Sequence, residues 1–456
     1  MAFSTYKYGV FSVARFAQAD VIKQTPKKIL NIVIDSRKAT ENSLFVCLDG
    51  QNTDGHVFIS NAIENGAVAV LIKRSKIDQV LAQTRNKNIG ILVVDSPLIG
   101  LQNLAKNYIS QFPNINYTAI TGSVGKSTTK QAVASLLSTA GKTVYTPNNL
   151  NSEIGLPLSL FQIDETTQYG VFEMGIDHKG EMDKHLSMLK PNQALITTID
   201  RAHIEKMGSM RKIAKEKGKI FHSDLDMAFV SKGCRYKKIL TKNLNYNPYE
   251  YSYNDVHFID QGLLGIDVII GDEKVRLPIL GEYLLEDVVG AITLVRKMGL
   301  SDMQIIEGLR SFVPMRGRGS IVDGNITVIE DCYNASPIST NMILSYLKKV
   351  VWEGNKKVVL GSMKELGKNS KKAHIQIAKS VYQNKLESAF LFGKEMENAY
   401  YYLKKENYKG NLFYSDDFED LSIAVDKNKK KGDLFLLKGS RAMAIERLIP
   451  TLQGVV

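Results

Sequence analysis

The chain has 456 residues, 44% of them hydrophobic and 23% charged, with a formal net charge of +12; at roughly 100–200 residues per domain that calls for about three globular domains and excludes a disordered or fibrous chain. Three distant cysteines, Cys47, Cys234 and Cys332, exclude a disulfide framework or zinc knuckle, residues 1–20 lack a secretory leader's apolar core, and no window approaches the roughly 20 apolar residues of a membrane span, so the expectation is a cytoplasmic chain with no integral membrane segment. The basic charge suits small polyanions, since the lysines are scattered apart from Lys427, Lys429, Lys430 and Lys431, and no aromatic-interleaved basic motif speaks for nucleic acid.

Short apolar runs alternate with longer amphipathic stretches, the pattern of an α/β fold. A first block, 1–98, carries strand candidates at 29–34, 44–48, 67–72 and 91–94, with a helix at 58–65. Pro97 and Gly100 punctuate its end. A second block, 99–314, opens with a helical stretch at 101–111. A strand at 117–121, a glycine turn and a long helix at 125–140 follow. Further strands are expected at 170–173, 193–198 and 227–230, and the alternation over 257–280 reads as antiparallel hairpins on one edge. In a third block, 315–456, strands at 328–331, 357–360, 388–392, 411–414 and 434–437 alternate with helices, which predicts a doubly wound sheet.

The sharpest local signal is Thr121-Gly122-Ser123-Val124-Gly125-Lys126-Ser127-Thr128, which follows an apolar strand and opens a helix. That is the context of a phosphate-binding loop. Glycines let the backbone approach phosphate, and the helix N-terminus adds partial positive charge. Lys126 is placed for the outer phosphates and the Ser127 hydroxyl for Mg²⁺. The glycine spacing, G-x-x-G-K-S, is shorter than the usual G-x-x-x-x-G-K-[ST].

Glu173 ends the short strand of Val171-Phe172-Glu173-Met174-Gly175, where a carboxylate beside such a loop meets a metal ion. His203 follows the strand at 193–198 and is a second possible ligand. Lys217, in Ala214-Lys215-Glu216-Lys217-Gly218-Lys219, reads by spacing alone as part of a solvated helix face.

Together these segments resemble the Mur ligase family over essentially the whole chain. Asp35-Ser36-Arg37 and Asp54-Gly55-His56-Val57-Phe58 look like its uridine-nucleotide domain. Asn149-Leu150-Asn151-Ser152-Glu153-Ile154-Gly155 and the segment from Ala202-His203 to Lys217-Gly218 look like its central domain. Glu330-Asp331-Cys332-Tyr333-Asn334-Ala335-Ser336-Pro337, Leu360-Gly361-Ser362-Met363-Lys364-Glu365-Leu366-Gly367 and Leu437-Lys438-Gly439-Ser440-Arg441 are similar to motifs of the dipeptide-adding member. The resemblance implies three domains: an N-terminal uridine-nucleotide domain at 1–98, a central P-loop ATPase domain with a mainly parallel sheet at 99–314, and a C-terminal Rossmann-like doubly wound ligase domain at 315–456.

It also implies an activity: ATP-dependent joining of D-alanyl-D-alanine to UDP-N-acetylmuramoyl-tripeptide through an acyl phosphate, in peptidoglycan precursor synthesis, by a monomer. For the residues, it implies that Lys126, His203 and Lys217 are catalytic, and that Ser127, Glu173, His203 and a carbamylated Lys217 hold Mg²⁺. Nucleotide contacts are implied for Gly122, Ser123, Val124, Gly125, Thr128, Asn149, Asn151, Asp331, Asn334 and one of Arg316 and Arg318, of which Arg316 is the choice. The acceptor nucleotide is assigned to Ser36, Arg37, Asp54 and His56.

The chain departs from the family pattern in the helix that opens the adenine pocket. The usual G-x-H-N-x-x-N reads Gly281-Glu282-Tyr283-Leu284-Leu285-Glu286-Asp287 here, without the histidine and both asparagines. Ser152, Ser336 and Ser362 stand where Asn, Asn and Asp are usual. Two other readings are another amide ligase of this architecture, such as a folylpolyglutamate-type enzyme, and a non-catalytic nucleotide-binding paralogue.

Overall fold

Continuous apolar runs become strands covered on both faces, and these build three separate α/β layers. The computed structural model describes residues 8–50 and 53–454; the first seven residues of the stretch read for a leader lie outside that range. In the first layer the sheet order is Asp20–Lys23, Gly90–Val94, Ala67–Lys73, Ser43–Val46, Asn31–Val33. All neighbours are parallel except the edge strand Asp20–Lys23. Strands 67–73 and 90–94 are buried almost throughout, as parallel strands between helices must be.

Helix Pro97–Ile109 starts at an N-cap where the Ser96 hydroxyl accepts from the Ile99 N–H, with proline in the first turn, an arrangement that satisfies an orphan donor and suits proline's missing N–H. The helix packs on Val10–Ala17 of the first layer and on Gly155–Leu160 of the second, and so ties the two together.

The second layer is a six-stranded parallel sheet in the order Tyr249–Tyr251, Met227–Ser231, Gln193–Ile196, Asn116–Thr121, Tyr169–Glu173, Thr143–Tyr145. Strand 116–121 lies where the winding reverses: later strands are added on one side of it as far as 169–173 and on the other from 193–196. The crevice outside the carboxyl ends at such a point is where α/β sheets bind ligands. Strands His257–Asp260, Ile266–Ile270 and Glu273–Leu277 form the expected antiparallel hairpins. They make a sheet of their own rather than an edge of the large one, whose edge on that side is Tyr249–Tyr251.

The third sheet runs Ser320–Val322, Thr327–Glu330, Leu434–Lys438, Lys356–Gly361, Ser388–Phe392, Asn411–Ser415. Only its first strand is antiparallel. The last strand in sequence therefore lies inside the sheet. Helix Pro337–Lys349 begins at Ser336, whose hydroxyl accepts from the Ser339 N–H at 3.3 Å; the serine that replaces the usual asparagine is a working cap. Ser152 accepts from the Gly155 N–H at 3.2 Å in the same way. All three cysteines are buried and free. Among the described residues no helix is long and apolar enough to cross a membrane.

Candidate active site

Strand Asn116–Thr121 ends in the glycine turn, and helix Lys126–Leu137 starts directly after it. Gly125 has φ +91°, a conformation L side chains rarely adopt, and a Cβ there would lie 2.0 Å from Asp287 Oδ1. The turn is pinned from the neighbouring strand: the Ser123 N–H donates to the Thr198 carbonyl at 2.7 Å, and the Thr197 hydroxyl donates to the Val124 carbonyl at 2.5 Å. The rigid loop thus carries the helix's first, unpaired N–H groups into the crevice, a preformed anion site.

That crevice is a cavity of about 500 Å³. Its wall includes Ser123, Val124, Gly125, Lys126, Ser127, Thr128, Asn149, Asn151, Glu173, His203, Arg318, Asp331 and Asn334, so most residues named for the nucleotide and metal meet at one place.

Glu173 is 1% exposed. Its Oε2 accepts from the Ser127 hydroxyl at 2.7 Å and its Oε1 from Asn151 Nδ2 at 2.6 Å, while its own N–H is held by Thr146 Oγ1 at 2.9 Å. Burial pushes the carboxyl up, but the charges of Lys126 and Arg318 and the Ser127 hydrogen bond outweigh it and hold Glu173 below the usual carboxylate range. It is ionised at neutral pH.

The Lys126 ammonium is itself drawn down by burial and supported by Glu173. Among the described residues it makes no ion pair, which leaves it available to phosphate. Lys217, on helix Met210–Gly218, is 1% exposed and lies behind the loop, its Nζ donating to Thr121 Oγ1 at 3.4 Å. Burial, then the nearby charge of Lys126, lower its pKa well below the ordinary lysine value. The solvated helix face expected from spacing alone is thus wrong at this residue: tertiary packing folds it inward.

His203, the N-cap of the short helix Ile204–Met207, places Nδ1 2.7 Å from Glu365 Oε2 and 3.2 Å from Asp177 Oδ1, though the ring N–H does not align as a hydrogen bond to either. Asp177, His203 and Glu365 offer ligand atoms within 4.8 Å of one another. Glu365 comes from the third layer and is held below its ordinary range chiefly by His203, against burial. Neither Asp177 nor Glu365 was singled out by sequence; the 360–367 motif was the only pointer to Glu365.

The choice of Arg316 is corrected. Arg316 pairs with Glu330 at 3.0 Å, its side chain largely exposed, and is not part of the cavity wall. Two residues on, after the turn at Gly317 (φ +77°), Arg318 enters the cavity. Its Nη2 donates to Ser127 Oγ at 2.9 Å, and its guanidinium lies 4.3 Å from the centre of the Tyr333 ring. Asp331 lines the wall but is held by Lys438 at 2.9 Å; the same ammonium donates to the Asn334 carbonyl at 2.8 Å. Ser362, at the usual aspartate position, is fully buried beside Glu395, whose carboxylate takes Lys364 Nζ at 2.8 Å on both oxygens.

The four first-layer residues lie away from this cavity. Arg37 is bound to Asp35 through two nitrogens at 2.9 Å, and Ser36 is buried. The assignment of His56 to direct substrate contact is corrected: it is fully buried, its Nε2 accepts from the Lys73 N–H at 3.0 Å and its Nδ1 meets Asp54 Oδ1 at 2.5 Å. With both ring nitrogens engaged it holds the loop rather than a ligand. Asp54 also pairs with Lys76 at 2.9 Å.

A switch-point phosphate loop, an ionised carboxylate on its serine and an arginine delivered from another layer define an ATP-dependent ligase built of several domains. The chain belongs to the Mur ligase family: the models for its catalytic domain, its middle domain and its glutamate ligase domain match residues 28–108, 120–295 and 317–441. The UDP-N-acetylmuramoyl-tripeptide–D-alanyl-D-alanine ligase of Treponema pallidum is 32% identical over 92% of this chain and 93% of its own. The crystal structure of MurF ligase from Thermotoga maritima in complex with ADP superposes with a TM-score of 0.77, at 26% identity over 93% of this chain and 97% of that one. A MurF crystal structure from Acinetobacter baumannii shares the fold with a TM-score of 0.86, at 24% identity over 98% and 99%.

Proposed function

We propose that the chain uses ATP to join D-alanyl-D-alanine to UDP-N-acetylmuramoyl-tripeptide in peptidoglycan precursor synthesis, through an acyl phosphate. The observation that carries this reading is full-length similarity to ligases of that name around a loop whose serine, lysine and acidic partner are all in place. The division at 1–98, 99–314 and 315–456, a monomeric state and a cytoplasmic setting belong to the same reading; three buried free thiols suit a reducing compartment.

In this reading the loop N–H groups and Lys126 neutralise the β- and γ-phosphates. The peptide carboxylate attacks the γ-phosphorus roughly in line, and ADP leaves. The dipeptide amine then attacks the acyl carbon and phosphate departs. No side chain forms a covalent bond; positioning and charge do the work. Arg318, bound to Ser127 and backed by Tyr333, supplies a second cation where charge accumulates.

The donor set fits Mg²⁺: Ser127 and the ionised Glu173 are hard oxygen donors, with His203 nearby. Lys217 fits carbamylation, because an uncharged buried amine is the form that reacts with CO₂, and the product is a carboxylate. Mg²⁺ held there would neutralise phosphate charge and draw the two anions together.

The test is phosphate release with ATP, Mg²⁺, bicarbonate, the nucleotide tripeptide and D-alanyl-D-alanine, omitting one component at a time. Release that needs both the tripeptide and the dipeptide is the expected result. ATP binding without release in any combination would overturn the ligase reading.

A further inference from the structure

Helix Glu181–Met188 begins at Gly180, which has φ +90° and no side chain with which to cap the helix. The acceptor comes from another helix. Glu216, on Met210–Gly218, is 3% exposed, and its Oε1 accepts from the Gly180 N–H at 2.9 Å and from the Met182 N–H at 3.1 Å. Two of the N–H groups that a helix start leaves unpaired are thus satisfied by a carboxylate, which the positive end of the helix also favours. The other oxygen of Glu216 takes Lys219 Nζ at 2.7 Å. The two residues that Glu216 grips flank Glu181, which is equally buried and whose Oε2 turns back to accept from the Asp177 N–H at 2.7 Å and the His178 N–H at 3.4 Å. His185 Nε2, 2.8 Å from the Gly175 carbonyl, holds the near end of the segment. Asp177 is thereby fixed on the cavity wall, with Oδ1 3.2 Å from His203 Nδ1 and Oδ2 on Lys206. Glu216 itself is not part of that wall. It directly precedes Lys217, whose Nζ reaches Thr121 under the phosphate loop, so one turn of helix holds both sides of the site.

Resting on the ATP-ligase reading above, we propose that Glu216 is a positioning residue for the groups assigned to Mg²⁺: through Gly180, Glu181 and Met182 it sets Asp177 against His203, and it ties that spacing to Lys217 on its own helix. Groups that orient a metal's ligands by hydrogen bonds strengthen its binding without meeting it. What the two N–H groups need is an acceptor at the full reach of a glutamate side chain. Glutamine keeps an oxygen at that reach without the charge; aspartate keeps the charge and draws the oxygen back by one methylene.

The test compares the full-length wild type with Glu216→Ala, Glu216→Asp and Glu216→Gln, all equilibrated with bicarbonate. Mn²⁺ binding is followed by loss of the free ion's EPR signal, ADP affinity by calorimetry in EDTA, and turnover by phosphate release. Alanine and aspartate are expected to weaken Mn²⁺ binding and lower turnover by about 10–100-fold, glutamine to stay close to wild type, and metal-free ADP affinity to be the same throughout. Aspartate close to wild type with glutamine as weak as alanine would make charge rather than reach the cause and overturn the positioning role. Equal Mn²⁺ binding in every variant, or metal-free ADP affinity falling in step with Mn²⁺ affinity, also overturns it and leaves the ATP site standing. If the alanine variant does not fold, the contrast between aspartate and glutamine decides. Phosphate release absent even from wild type overturns the ligase reading, while the Mn²⁺ series still decides the role of Glu216. Wild type that binds neither Mn²⁺ nor ADP overturns both.

Discussion

Single residues carry the sharpest consequences. Among the described residues Lys126 makes no ion pair, though Glu173 lies close enough to support its charge, so Lys126→Met removes a preorganised cation from developing charge. Turnover should fall by about 10²–10³, the scale of one lost electrostatic donor, in a phosphate-release assay. Lys217 has the low pKa that carbamylation needs; protein equilibrated with ¹³C-bicarbonate should give a carbamate carbon resonance that Lys217→Arg lacks, and its absence from wild type would dismiss the modification. Asp287, on helix Gly281–Lys297, affects stability, since burial and then Glu286 push its carboxyl up. The folded chain keeps its proton up to about pH 8, whereas an unfolded aspartate loses it near 4. The folded state therefore binds more protons between those values, and its stability falls as pH rises through that window. Asp287→Asn removes this loss, so the melting-temperature gap over wild type should widen from pH 5 to pH 9. The loop and Glu173 were legible as residues because backbone geometry or strand position ties them to the chemistry, whereas the 330–337 motif was legible only through the family resemblance. The choice between Arg316 and Arg318 was not, since two residues of the same charge straddle a glycine turn and only its direction decides which points inward.

At the level of elements, alternation and apolar runs located the longer strands of the three layers to within a few residues, but not the short strands Asp20–Lys23, Thr143–Tyr145, Tyr249–Tyr251 and Ser320–Val322. What they missed were short pieces with weak patterns. Helix Val10–Ala17 and edge strand Asp20–Lys23 owe their form to packing against Pro97–Ile109 and pairing with Gly90–Val94. The inward turn of Lys217 was hidden for the same reason, because local spacing does not say which face of a charged helix meets a sheet. Helix Gly281–Lys297 lines the cavity beside the loop, and its seat is tight: a Cβ on Gly290 would lie 2.8 Å from the ring of the fully buried Tyr251. Gly290→Ala should cost about 1–3 kcal/mol, as overpacking does, measured by urea unfolding. It should also weaken ADP binding in the proposed reading, because Tyr283, Leu284 and Asp287 of the same helix line the cavity beside the loop.

For the whole molecule, the second and third layers share an apolar seam, where helix Gly281–Lys297 meets helix Pro337–Lys349 and Leu280 and Leu284 lie beside Gly319, and polar contacts over the loop. Glu365 faces His203, and Arg318 reaches Ser127. Both depend on the third layer sitting over the loop, and a partly exposed pair such as Glu365 with His203 contributes only about 0.2–1 kcal/mol. The polar contacts over the loop can therefore break and re-form during turnover while the apolar seam holds the layers together. Glu365→Ala should therefore lower turnover at saturating ATP by several-fold, with ADP affinity little changed, and small-angle scattering should show a larger radius of gyration. An equal loss in ADP affinity would instead place Glu365 in nucleotide binding.

The order of the third sheet has a consequence for biosynthesis. Strand Leu434–Lys438 fills the gap between Thr327–Glu330 and Lys356–Gly361, so about a hundred residues emerge from the ribosome before the layer can close. At roughly 5–20 residues per second, two apolar strand edges stay open for several seconds. During those seconds the nascent chain is a client for chaperones, and a ribosome stalled in that interval would release a polypeptide with an intact phosphate loop and no finished third layer to cover it.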